Sequence, residues 1–477
     1  MSSNSSGFVP AGRLAAVVLL CHAACELAWS EPDAAKPART FSGMSYLDNG
    51  TLRLGVDLGL GGAITYLSAA GKDENVVNSF DYGRQIQMSY YSGPTPFSVG
   101  DKRPAPHWAH LGWNPIQTGD DFHHGSQVVE ARNDGREIYV KCVPLIWPLD
   151  NVAAECTFES WITLDGNTAR VRARLNNARS DKTRYPARRQ EMPAVYTNGP
   201  YYRLMTYTGE RPFTAGPLAR IEKPAGQTFP WTSWLATENW AALVDEHDWG
   251  LGVWQAGCYD FSGGFAGKPG SGGTHDSPTG YLAPGYIEII DHNIQHEFQY
   301  VLILGSLAEI RRYAYAQARR DARPAFRFSK DREHWWLMNA TDEGWPLKGV
   351  WRVRLEQPDP QIVSPPAFWP ASDVPRLEIT AACRLTRPLA RLYFKTLDEN
   401  GFSEDKALNF PLVSDEAEHV YRVDMTAAAN YRGVITGLRL DPEPAGAPGD
   451  YFTLQELRGT GDERPANKTD RTGDGGR

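Results

Sequence analysis

Residues 52–87 read LRLGVDLGLGGAITYLSAAGKDENVVNSFDYGRQIQ, and their pattern decides the fold class. Thr51 to Val56 and Ala63 to Leu67 are short apolar runs on either side of Gly61-Gly62, a pair that supplies the backbone freedom of a tight turn. A short polar turn follows, and Gln85 to Tyr91 resumes the extended pattern. Strand, turn, strand, turn, strand within forty residues describes antiparallel β structure.

The same rhythm runs outward from this stretch. Strands are expected at Gln127 to Ala131, Glu137 to Ile146, Glu155 to Leu164, Ala169 to Leu175, Trp240 to Val244, Gly250 to Gln255, Tyr286 to Ile290 and Gln299 to Gly305. Arg170-Val171-Arg172-Ala173-Arg174-Leu175 alternates polar and apolar residues, the period of a half-buried strand. Asn133-Asp134-Gly135 and Asp165-Gly166-Asn167 mark turns. One helix is expected from Ser306 to Arg319, with Ser306 as its N-cap. Gly263 to Gly280 reads as a long binding or lid loop. After a break at Arg320 to Arg327, a second β-rich block spans Phe328 to Leu457 and includes ITGLRLDP at 435–442. The chain is therefore mainly β: signal 1–30, first domain 41–319, second domain 328–459 and a polar, disordered tail 460–477.

Composition narrows the function. A net charge of −8 with no basic stripe argues against nucleic-acid binding. Arg13, the apolar run Leu14 to Cys25 and Ala28-Trp29-Ser30 form a secretory signal too short to span a membrane. The expected location is secreted or periplasmic. Export permits disulfides, so Cys142 and Cys156 either bridge across a hairpin or stay buried thiols. No Cys/His spacing forms a zinc motif. His292 and His296 stand four apart in a β or loop context, so no metal ligation is expected there. No cofactor is expected, and the sequence leaves the oligomeric state open.

Three segments concentrate polar forks beside aromatic faces: NSFDYGRQIQMSYYSG (78–93), GWNPIQTGDDFHH (112–124) and RRQEMPAVYTNGPYYR (188–203). A sugar ring needs both kinds of group, C–H faces for stacking and hydroxyls for hydrogen bonds. Packing at sheet edges is the alternative. Glu191 is the first candidate for acid–base work or nucleophilic attack; its alternative is a salt bridge to Arg188 or Arg189. Asp120 is its expected partner carboxylate, since glycosidic hydrolysis uses two. His123, His124 and Tyr196 are further proton-transfer candidates. Asp81, Arg84, Gln87, Tyr90, Trp113, Asn114, Arg189 and Tyr202 are candidate substrate contacts, with turn capping by Asp81 as the alternative.

Strand, Gly-Gly turn, strand, polar turn and then NVVN-x-x-D resembles the opening of galactose-mutarotase-like supersandwich domains, over Phe41 to Ala316. The context of the mutarotase catalytic histidine has no match here. The second block is similar to jelly-roll-like carbohydrate-binding modules. These resemblances imply a two-layered β-supersandwich followed by a β-sandwich, and a poly- or oligosaccharide partner. A structural Ca²⁺ in the second block is compatible with them, but no ligand loop specifies one. The leading expectation is a secreted glycoside hydrolase. A polysaccharide lyase, with a Tyr or His base acting on a uronate, and a non-catalytic glycan-binding protein stand as alternatives.

Overall fold

The computed structural model describes residues 41–72, 74–317 and 323–461. The expected signal and the rest of residues 1–40, residue 73, 318–322 and residues from 462 lie outside them.

Two antiparallel sheets share the first core. One runs Met44–Asp48, Leu52–Asp57, Ala63–Ala69, Ile86–Ser89, Glu191–Asn198, Thr279–Pro284, Asp260–Ala266, Trp231–Leu235. The other is nine-stranded, with Gln295–Ser306 near its middle, between Trp249–Trp254 and Thr168–Asn177. Leu54, Met88, Val195 and Leu282 of the first sheet meet Phe158, Ala173, Leu251 and Phe298 of the second in one cluster. Side chains alternate along a strand. On the first sheet, therefore, Gln87, Ser89, Ala194, Tyr281 and Ala283 face away from that core.

The helix Leu307–Ala316 covers the back of the nine-stranded sheet. Ser306 and Glu309 close a capping box, as the Ser-x-x-Glu spacing dictates. Ile310 and Ala314 pack on Trp240, Ala242 and Ile303. Gly252 permits this approach, because a Cβ there would lie 2.5 Å from Ile310 Cγ2.

Residues from Ala325 to Thr460 form two six-stranded sheets around Trp351, Trp369, Phe394 and Leu440. The ITGLRLDP segment supplies the central strand Val434–Asp441 of one of them. The strand Tyr451–Thr460 runs through the other, one residue past the expected boundary at 459.

Buried polar contacts join the two regions. Arg332 pairs with Asp291 of the first region at 2.8 Å and with Asp342 of the second at 2.6 Å. Trp345 donates its backbone N–H to Asp291, and Tyr286 stacks on His334 with centroids 3.9 Å apart.

Two readings are narrowed. The expected loop from Gly263 to Gly280 is shorter than its sequence suggests, because strands take its two ends. Asp260–Ala266 and Thr279–Pro284 are paired strands, so only 267–278 remains as loop. The glycines at 263 and 264 mislead because they serve close packing: a Cβ on Gly263 would lie 2.3 Å from the Tyr281 carbonyl oxygen. Cys142 and Cys156 are free, buried thiols. Cys142 pairs in register with Phe158, which leaves Cys156 diagonal to it. Diagonal neighbours are about 7–8 Å apart at Cα, beyond the usual reach of a disulfide.

Candidate functional site

Glu191 occupies its place because of a bulge. Glu191 pairs with Ser89 and Ala194 with Gln87, so three residue steps oppose two. The extra residue falls at Met192-Pro193, where proline can be accommodated because the ladder is already interrupted. The shift changes the strand's phase. Glu191, Ala194 and Tyr196 share the outward face, although 191 differs in parity from the other two. Met192 is fully buried in the sandwich core.

Two phenols hold the carboxylate. Tyr91 donates to Glu191 Oε2 at 3.0 Å, and Tyr281 makes a very short hydrogen bond to Oε1. Tyr281 lies 4.9 Å from both Tyr196 and Trp231, centroid to centroid. Phe229, 62% exposed, extends this aromatic shelf outward from Trp231. Ala194, Ala283 and Tyr281 are the buried floor beneath Tyr196 and Trp231.

The charges around the shelf are matched. Arg189 pairs with Asp260 at 3.2 Å and also donates to the Ala283 carbonyl. Gly285 leaves room for it, since a Cβ there would lie 3.3 Å from Arg189 Cζ. Burial pushes the Asp260 carboxyl up despite Arg189. Arg84 pairs with Asp81 at 3.1 Å. Burial, followed by the Glu191 charge, raises Tyr91, Tyr196 and Tyr281 well above the ordinary phenol value. All three are therefore neutral hydroxyls, able to donate but unsuited to act as bases. Beyond Arg189, Asp260 forms one wall of a cavity of about 300 Å³, with Trp336, Gln361, Lys395 and Phe402 of the second region on its other sides.

The other expected site residues fall in different places. Asp120 is fully buried, and its oxygens accept from the backbone N–H groups of Phe122, His124 and Asn151 and contact His124 Nδ1. It holds a loop together, and no hydrogen bond or ion pair joins it to Glu191 among the described residues. His124 lies between Asp120 and Asp150, and His123 sits edge-on to Tyr82. Gln87 is consumed by Thr118 and the carbonyls of Tyr82 and Arg84. Asn114 is buried and donates to the Tyr90 carbonyl, while Trp113 is core. Tyr202 packs edge-on to Phe265. Asp81 caps its turn through the Gly83 N–H, although its charge also reaches Tyr196. Tyr90 faces the core and meets His296 at 3.0 Å, so its neighbour Tyr91 is the one that faces Glu191.

Of the residues named from the sequence, Glu191, Tyr196 and Arg189 meet in this cluster; its members Tyr91, Tyr281 and Asp260 were not named. Tyr91 lay within the first polar-aromatic segment. Tyr281 and Asp260 belong to strands that the glycines concealed.

No family model matches the chain, and no curated protein matches it. Solved structures do. A galactose mutarotase-like protein from Lactobacillus casei ATCC 334 is 13% identical over 55% of this chain and 100% of its own, with a TM-score of 0.34. A galactose mutarotase related enzyme from Lactobacillus acidophilus is 11% identical over 55% and 98%, at 0.34. A GH36 alpha-galactosidase from Geobacillus stearothermophilus is 10% identical over 56% and 42%, at 0.33.

Proposed function

We propose that this protein is a secreted carbohydrate-active enzyme that binds sugar on the Tyr196–Tyr281–Trp231 shelf and uses Glu191 for proton transfer or attack at a glycosidic bond. One observation carries this reading: a carboxylate held by two neutral phenols at the edge of an aromatic platform. The platform offers stacking area for sugar C–H faces. The phenols orient Glu191 and can re-direct their hydroxyls to a ligand.

Hydrolysis calls for a second carboxylate. Asp120 is committed to its loop, so the role passes to Asp81, toward the Tyr196 end, or Asp260, toward the Arg189 end. The lyase reading fits less well. It needs a free cation for the uronate and a phenol or imidazole base. On the shelf the phenols are raised, and Arg84 and Arg189 already have carboxylate partners.

The test is a glycan panel incubated with purified protein and read by mass spectrometry. Products gaining water are expected, and Glu191→Gln should lower turnover by about 10²–10⁴-fold while retaining sugar binding. Full activity in Glu191→Gln would overturn the assignment. Sugar binding without turnover by the unaltered protein would make it a binding protein, and products lacking water would make it a lyase.

A further inference from the structure

We propose that Glu288, His296 and His334 bind a divalent metal ion, with zinc the best chemical match, at the junction of the two β regions. The three side chains come from separate elements: the two-residue strand Ile287–Glu288, the long strand Gln295–Ser306 and the loop before Trp336. One oxygen and two imidazole nitrogens lie within 4.8 Å of one another. Glu288 and His296 are buried at 6% and 8% exposure. The His334 side chain, 38% exposed, leaves a route for an ion.

An ordinary salt bridge accounts for only part of this arrangement. Glu288 Oε1 lies 2.5 Å from His334 Nδ1, a complete hydrogen bond. His296 Nε2 lies 3.6 Å from the same oxygen and has no hydrogen-bond partner, although it is buried. Leaving such a nitrogen unpaired is costly. An ion would satisfy it. Ligand atoms about 2.0–2.1 Å from tetrahedral zinc stand about 3.4 Å apart. The Glu288–His296 edge already meets that spacing. The Glu288–His334 edge opens to it by about 1 Å, and the element that moves is a partly exposed loop. The outer partner is also present: the Tyr90 hydroxyl lies 3.0 Å from His296 Nδ1, where accepting its N–H leaves the Nε2 lone pair free. Three protein ligands leave the fourth position to water.

The second cluster of this kind, Asp120, His124 and Asp150, differs in the point that matters, since backbone N–H groups already occupy Asp120.

The experiment uses the whole secreted chain. Metal content of purified protein, calorimetric titration of chelator-stripped protein with zinc chloride, and the visible spectrum after cobalt(II) loading are measured together. One ion per chain and tetrahedral cobalt bands are expected. His296→Ala and His334→Ala should weaken zinc at least 100-fold, with His247→Ala, an exposed control, unchanged. Tyr90→Phe should lose about 10-fold, which keeps the proposal testable if the histidine variants fold poorly. Chelation should lower the thermal midpoint of the unaltered protein. No zinc uptake by folded, stripped protein, or equal uptake by His296→Ala, would overturn the proposal. Neither result bears on Glu191, which lies on the other face of the sheet.

Discussion

Replacing Arg332 with methionine keeps most of the side chain's length and removes its charge. The guanidinium contacts Asp342 through Nε at 2.6 Å and Nη2 at 3.0 Å, and Asp291 through Nη1 at 2.8 Å. All three side chains are at most 5% exposed. Removing one member of a buried ion pair costs about 3–5 kcal/mol, because the other charge is left uncompensated. Here two carboxylates are left, but neither is bare. Asp342 keeps the Trp351 indole N–H and the Gly344 N–H, and Asp291 keeps the Trp345 N–H. The lower end is therefore expected, about 3 kcal/mol, a hundredfold or so in the unfolding equilibrium.

The pH dependence has a definite sign. Burial pushes Asp342 up, but Arg332 outweighs it and holds the carboxyl below its ordinary value. Without Arg332, burial wins and the Asp342 carboxyl rises. The deficit is then full at neutral pH and shrinks as the pH falls toward 4 and protons replace the lost cation. Equilibrium urea unfolding followed by tryptophan fluorescence at pH 7 and pH 4.5 measures both effects. Adding Asp342→Asn should recover part of the loss. A deficit below about 1 kcal/mol at pH 7, or one unchanged at pH 4.5, would refute this account of how the regions are joined.

Other outcomes follow from single features. Trp231→Ala should weaken sugar binding by about tenfold with little change in fold, since it removes stacking area from the platform; unchanged affinity in calorimetry would place the sugar elsewhere. Gly252→Ala should destabilise by about 1–3 kcal/mol through its clash with Ile310, and the penalty should be smaller in an Ile310→Ala background, where both clashing Cγ atoms are gone. Burial, then the neighbouring Asp450, pushes Glu443 up to about 7. Its stabilising contribution is full below the unfolded carboxyl value and is lost as the pH rises through 7, so Glu443→Gln should flatten the thermal midpoint between pH 5 and 8. Titration of denatured, unreduced protein spanning residues 31–477 should find four thiols, and reductant should leave the melting curve unchanged.

The sheets were legible because their strands alternate, and Arg170 to Leu175 shows this plainly. The helix was legible from its N-cap, Ser306. Glycine-rich strands were not, because at Gly263 and Gly264 the same residue that signals a loop instead admits a neighbouring backbone. Glu191 was legible as a carboxylate in a polar-aromatic segment. Its face was not, because a bulge resets parity without leaving a mark in the pattern. Asp120 was misleading because an acidic residue in a turn-rich stretch serves backbone N–H groups as readily as a substrate. His296 has a histidine four residues away in sequence, but its partners are Glu288 and, 38 residues on, His334. Such distant pairings are set by the way the second region docks, which local spacing does not encode.

Tyr90 and Tyr91 are consecutive residues whose hydroxyls end on opposite sides of one sheet, one at His296 and the other at Glu191. A single peptide unit is thus common property of two chemical environments. A ligand that shifted this peptide from one side would shift it for the other side as well. Thermodynamic reciprocity then applies: an ion that alters sugar affinity through this peptide must have its own affinity altered by the sugar by the same factor.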